Sequence, residues 1–406
     1  MNILLVSNLY PPQELGGYGR CMADFAWGLL QRGHRLRVLT SDAPYLGPSA
    51  PGPCGEPVNR RLQLKGSFEK GVQLLRDPQH CAALDQHNRA ALAAELAATP
   101  TDAVLLGNLD LLGPELLAAL LAADVPLLHH VGFVAPPFAA WQWPQSPFYT
   151  LVAASRAVRQ SLFDAGLPVA QAPVVYPGAR TDILAPAQLP ARMAGTSTPL
   201  GTAGNPLKLC FAGLLMATKG AHTVVEAAAQ LQHQGVSVQV NLAGSHFEAG
   251  YWERLEAFSH TAGLGGLVSW VGPLQRPQLA RFFSLHQVGV FPSIYPEAFG
   301  IVAAEMQACG LALVSSGVGG AAELVVPDRS GLLFQAGDGS QLAKQLLRLV
   351  HEPGLLQRLQ TAGRQRVNQH FSVEQAAQQL EQLWLGAAPQ PRGLSTIEAS
   401  CGSVTF

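Results

Sequence analysis

Short apolar runs alternate with helix-period segments along this chain, and the whole alternation occurs twice. Residues 1–7, 35–41, 102–108, 125–131, 150–154 and 174–176 read as strands of a first half. Residues 207–212, 237–243, 268–271, 288–291 and 311–315 repeat the pattern in a second. Between them, 22–32, 115–123, 221–234 and 340–351 carry apolar residues at helical spacing. Strands that alternate with helices pair in parallel, with the helices packed on the sheet. The chain is therefore expected to build two α/β domains, each around its own parallel sheet.

Residues 184–206 are rich in Pro, Ala, Gly, Ser and Thr and carry no apolar period. The division between the halves is expected there. This places a first domain over 1–184, a linker over 185–206 and a second domain over 207–370. A final helix-period segment covers 371–386, and a disordered tail is expected over 387–406. The Pro- and Gly-rich stretch 42–60 reads as a surface loop.

Composition narrows the function classes. Charged residues make up only 13 % of the 406 residues and the net charge is −1, with no basic tail, so nucleic acid is not an expected partner. Cys21, Cys54, Cys81, Cys210, Cys309 and Cys401 are scattered without the CxxC spacing of a zinc site and suit a reducing cytoplasm. The opening residues Met1 to Val6 are too short an apolar run for a signal peptide. The most apolar stretch, 116–128, is broken by Asp124 and Pro126 and falls short of the ~18 apolar residues of a membrane span.

Chemistry concentrates at the expected carboxyl ends of strands, where open α/β sheets bind ligands. The strand 288–291 runs through Pro292 and Pro296 to Glu297, and a helix from Phe299 carries Glu305. Glu297 alone would serve as a helix-dipole partner and Glu305 alone as a solvated helix residue. The amides of Phe299, Gly300 and Ile301 open that helix and offer an anion site. Lys219 precedes Gly220 and a helix, where it can meet a diphosphate as a point charge or be an ordinary surface lysine. Thr218 and Gly220 flank it, which excludes a P-loop. Gly16 and Gly17 follow the first strand and would let backbone approach a phosphate, or form a plain flexible loop. The third glycine of a dinucleotide fingerprint is missing, which disfavours hydride transfer. His129 and His130 end a strand of the first half, with either one facing a cleft or both buried as core histidines. Trp141, Trp143 and Phe148 would stack on an acceptor sugar or lipid, or pack internally.

The order of these elements resembles the retaining glycosyltransferases of family 4. The resemblance rests on Glu297 and Glu305 with seven residues between them, Gly319, Gly320 and Glu323, and Gly331 to Phe334. Upstream it rests on Gly213, Lys219 and Gly220, on Gly16 and Gly17, and on Arg32 to His34. It implies the GT-B plan: two Rossmann-like α/β/α domains facing across a cleft, with the last helix crossing back onto the first domain. It also implies a nucleotide-sugar co-substrate (UDP-, GDP- or ADP-linked), retention at the anomeric carbon, no metal and no other cofactor. Glu305 would then hold the ribose hydroxyls, Glu297 would face the donor sugar, and a histidine of the 129–130 pair would contact donor or acceptor. The acceptor would be a glycan, a lipid-linked glycan or a small molecule bound on the first domain, near Trp141 and Trp143. The location would be cytoplasmic, with peripheral contact at a membrane face as an option. Leu214 departs from the pattern, since many members carry arginine there. Arg20 and Arg276 are the cations that could make up the lost charge. The alternatives are a nucleotide-sugar epimerase of the same fold and a degenerate binding protein without turnover.

Overall fold

The computed structural model describes residues 1–69, 71–186 and 198–387. The first half runs β1 (Asn2–Ser7), α1 (Tyr18–Gln31), β2 (Arg35–Ser41), β3 (Val58–Leu62), β4 (Gly66–Ser67), β5 (Gln73–Leu74), α2 (Pro78–Ala98), β6 (Ala103–Leu106), α3 (Pro114–Leu121), β7 (Leu127–Val131), β8 (Tyr149–Ala153) and α4 (Arg156–Asp164). The second runs β9 (Leu207–Ala212), α5 (Ala221–His233), β10 (Val238–Ala243), α6 (Tyr251–Thr261), β11 (Val268–Trp270), α7 (Arg276–Ser284), β12 (Val288–Phe291), α8 (Ile301–Ala308), β13 (Ala312–Ser315), β14 (Leu332–Leu333), α9 (Gly339–His351), α10 (Leu355–His370) and α11 (Val373–Ala387).

Each half folds around one six-stranded parallel sheet, ordered β3-β2-β1-β6-β7-β8 in the first and β11-β10-β9-β12-β13-β14 in the second. Both sheets are covered on two faces, which is why their strands read as near-continuous apolar runs. In β1, Ile3 and Leu5 enter one buried cluster with Phe25 and Leu29 of α1. Leu4 and Val6, on the other face, join Leu117 and Leu120 of α3. In β9 the same period of two sends Leu207, Leu209 and Phe211 to one cluster and Cys210 and Ala212 to another. Leu4 is fully buried, so Leu4→Ala would cost about 2–5 kcal/mol. The strand order reverses between β1 and β6 and between β9 and β12, which puts a ligand crevice at those carboxyl ends.

The structure corrects one strand and bears out one loop. Residues 174–176 form only an isolated bridge through Val174 to Ala153, because β8 has no further partner of strand length beside it. The stretch 42–60 is largely an exposed loop, as expected; it ends in β3, and Glu56 within it is buried, accepting from the hydroxyl of Tyr10 and from the amide of Cys54 at 2.8 Å. The middle of the expected linker, 187–197, and the tail from 388 lie outside the described residues.

Several contacts among the described residues join the domains. The carboxylate of Glu323 accepts from the backbone N–H of Arg156 at 3.2 Å and of Ala157 at 2.9 Å, the first amides of α4, and from Tyr176 Oη at 2.7 Å. It thereby supplies a helix N-terminus with the anion its dipole favours. The chain crosses back at Phe371–Val373, where Ala179 donates to Phe371 at 2.7 Å and Val373 to Ala179 at 3.1 Å. Helix α11 then packs Ala377, Leu380 and Trp384 into the α1 side of the first sheet. One turn earlier on α1, Arg276 reaches Asp24. Among the described residues no helix is long and apolar enough to cross a membrane.

Candidate active site

The carboxyl ends of the two sheets open onto one cleft of about 1080 Å³. Gly16, Gly17, Arg20, Asp110, His129 and Phe133 line it from the first domain; Leu214, Lys219, Glu297, Gly300 and Ile301 line it from the second.

Two glycines set the geometry of the second wall. Gly220 has φ +73°, and a Cβ there would stand 2.1 Å from the Pro292 carbonyl. Gly319 has φ +67°, and a Cβ there would stand 2.4 Å from the Glu297 carbonyl. Only glycine allows both the left-handed backbone and these approaches. The loop after β12 is thereby pressed against the loop that carries Lys219. Lys219 Nζ lies 2.6 Å from Glu297 Oε1, and Ser293 Oγ donates to the same oxygen at 2.6 Å.

Two helix N-termini meet in the cleft. Gly17 caps α1 and Gly300, at φ +94°, caps α8; neither helix has a side-chain cap or an acidic residue in its first turn. The glycine loop lies directly on the second domain, since a Cβ on Gly17 would be 3.3 Å from Ile301 Cδ1. Unpaired amides and two positive dipole ends make this a region suited to an anion. Phe299 offers it backbone only, because its ring packs on Tyr176 and Phe371.

Glu305 lies beneath this wall. It is 0 % exposed; Arg276 Nε and Nη2 both lie 3.4 Å from its Oε1, and its Oε2 has no partner. Burial pushes its carboxyl upward against the opposing pull of Arg276.

The histidines separate by the strand's period of two. His130 is turned away from the cleft, its Nδ1 3.1 Å from Tyr18 Oη and its Nε2 2.9 Å from the Val175 carbonyl. Both ring nitrogens are occupied, so the structure gives it a packing role. His129 lines the cleft, with Nδ1 3.0 Å from Tyr149 Oη and Nε2 unpartnered. Burial, reinforced by His130, pulls His129 down to about 3, so it is a neutral imidazole near neutral pH.

The tryptophans do not line the cleft. Trp141 is 84 % exposed. Trp143 stands edge-on to Tyr149 at 5.5 Å and to Phe138 at 6.2 Å, so it supports the layer that holds His129. Phe133, stacked on Tyr18 at 6.1 Å, is one of the aromatic residues that do border the cleft.

The residues 197–366 match the sequence signature of the family described as glycosyl transferases group 1. A D-inositol 3-phosphate glycosyltransferase of Arthrobacter sp. (strain FB24) is 33 % identical over 44 % of this chain, a match that spans 42 % of that protein. The glycogen synthase of Mycobacterium tuberculosis (strain ATCC 25618 / H37Rv) is 25 % identical over 97 % of both chains. Among solved structures, Anabaena Alr3699/HepE in complex with UDP-glucose superposes with a TM-score of 0.71 at 20 % identity, covering 95 % of this chain and all of that one. The chain has the two-domain GT-B fold of these structures.

Asp110 is a cleft residue that the sequence alone did not single out. It follows β6 in the loop Gly107-Asn108-Leu109-Asp110, and burial raises its carboxyl to about 6 against the pull of its own backbone amide. The signal was available as a polar residue just past a strand's carboxyl end on the wall opposite Glu297. Asp24 was missed as well. It sits among the apolar residues of α1 and carries no local mark, because its partner Arg276 is 252 positions away.

Proposed function

We propose that this protein transfers a sugar from a nucleotide-sugar donor to an acceptor hydroxyl, with retention at the anomeric carbon and without a metal ion. The observation that carries the proposal is the convergence of Lys219, Glu297 and the uncapped N-termini of α1 and α8 in one cleft. A diphosphate suits the ammonium and the helix amides. When it takes up Lys219, the carboxylate of Glu297 is released to face the sugar. The UDP-glucose complex of Alr3699/HepE makes UDP-sugars the first donors to try. Glu305 keeps one unpartnered oxygen, Oε2, beside the one that Arg276 approaches, which suits a ribose hydroxyl as donor.

In the reaction the bond from the anomeric carbon to the diphosphate breaks, and its electron pair stays on the phosphate oxygen. Lys219 and the helix amides stabilise that charge, and Glu297 stabilises the positive charge that develops on the sugar. The acceptor oxygen bonds to the anomeric carbon on the face the diphosphate leaves. Asp110, on the first-domain wall, takes the hydroxyl proton, a task that suits a carboxyl raised toward neutrality. The apolar lining of Phe133, Val134, Pro136 and Pro137 supports an acceptor site on the first domain and suits a lipid-linked glycan or another acceptor with an apolar face.

The test is a thermal-shift and calorimetric panel of UDP-, GDP- and ADP-sugars. Products with candidate acceptors are then read by mass spectrometry, and anomeric configuration by NMR. One nucleotide sugar is expected to bind and be consumed. Failure of every nucleotide and nucleotide sugar to bind would remove the proposal, and binding without turnover would mark a degenerate member.

A further inference from the structure

We propose that Arg20, in the first turn of α1, is the second cation for the donor's diphosphate, so that the phosphates are held between Arg20 on one domain and Lys219 on the other. The inference rests on the nucleotide-sugar reading of the cleft and extends it to the opposite wall.

Among the described residues that line the cleft, Arg20 and Lys219 are the two side chains with a permanent positive charge. The loop beside Lys219 adds none, because Leu214 lines the cleft there. Arg276 is committed elsewhere, to Asp24 and Glu305. The diphosphate of a nucleotide sugar carries two negative charges, so one cation from each wall balances it.

The position of Arg20 is also unusual. It is the third residue of α1, at the positive end of the helix dipole, where cations are disfavoured. No acidic residue in that turn offsets it, and the N-cap is a glycine without a side chain to do so. Its partner in the structure is Glu14, 3.3 Å away, and Glu14 Oε2 has no partner at all. Arg20 remains 29 % exposed toward the cleft. An anion seated on the amides after Gly17 would relieve the unfavourable placement and meet the guanidinium in one step. Because Arg20 and Lys219 belong to different domains, the same anion would tie the two walls together.

The experiment titrates the wild type with UDP, GDP and ADP and takes forward the one that binds, beside its uncharged nucleoside measured by ligand-observed NMR. Arg20→Gln is expected to weaken the nucleoside diphosphate by about ten- to a hundredfold and to leave the nucleoside unchanged. Arg20→Lys, which keeps the charge, is expected to recover most of that loss. Glu14→Gln, which frees the guanidinium, is expected to tighten diphosphate binding severalfold and serves also if Arg20→Gln does not fold. Diphosphate affinity unchanged in Arg20→Gln, an equal loss for the nucleoside, no recovery in Arg20→Lys, or no gain in Glu14→Gln would each overturn the proposal. A wild type that binds none of the three diphosphates overturns the nucleotide-sugar reading itself, and this one with it.

Discussion

Arg276 of the second domain grips both carboxylate oxygens of Asp24 in the first. Asp24 is 2 % exposed and Glu305, on the other side of the guanidinium, is 0 % exposed. Removing one member of such a buried group leaves its partners charged and unpaired, a loss of about 3–5 kcal/mol. Arg276→Met is expected to destabilise the protein on that scale in urea unfolding, since it strands two carboxylates at once. A change below about 1 kcal/mol would show that the contact is not held in solution.

Lys219→Ala is expected to weaken binding of the cognate nucleoside diphosphate by about 1.5–3 kcal/mol, the scale of a hydrogen bond to a charged group. Glu297→Gln should leave that affinity intact or tighten it, because Lys219 loses its carboxylate partner, and should lower turnover by about 10²–10³, because the charge is needed as the sugar becomes positive. Calorimetry and initial rates on the two variants check this. An unchanged affinity in Lys219→Ala would place the phosphates elsewhere.

Asp110 gives the stability a pH dependence of definite sign. Its folded value of about 6 lies above the ordinary carboxylate value, so the folded protein binds the proton more tightly than the unfolded chain. The stability it contributes is present below about pH 4 and is lost as pH rises through about 6. Asp110→Asn removes the charged form. Its melting temperature relative to the wild type should therefore rise from pH 4 to a plateau above pH 6. A difference independent of pH would mean that Asp110 titrates as an ordinary surface carboxylate.

Turnover is expected to survive EDTA. Lys219 and the amides of α1 and α8 are placed to carry the leaving-group charge that a divalent ion carries in metal-assisted transfer. Activity lost to the chelator and restored by manganese would contradict this.

Trp143→Ala is expected to cost about 1–3 kcal/mol of stability, because the ring braces Phe138 and Tyr149 behind His129. Trp141→Ala, at a side chain mostly in solvent, should change neither melting temperature nor acceptor kinetics. An increase in the acceptor Michaelis constant in Trp141→Ala alone would return that residue to the acceptor site.

The two-sheet plan was legible in the sequence because it is written in local periods. The strands 35–41, 207–212 and 288–291 fall where the apolar runs place them, and Glu297 stands just past a strand's carboxyl end as expected. A backbone that must pair in parallel and be covered on both faces leaves few other choices for such runs. Gly220 and Gly319 were visible as glycines, but their purpose was not, since it is the approach of the Pro292 and Glu297 carbonyls from distant segments. Tertiary structure alone turned His129 toward the cleft and His130 into the core, set Trp143 behind Tyr149, and buried Glu305 beneath Arg276. It also placed Asp24 and Arg276 in contact across the domains. The reason is physical: secondary structure follows hydrogen bonds and apolar spacing within a few residues, whereas the partner of a buried charge is chosen by which surfaces the folded domains bring together.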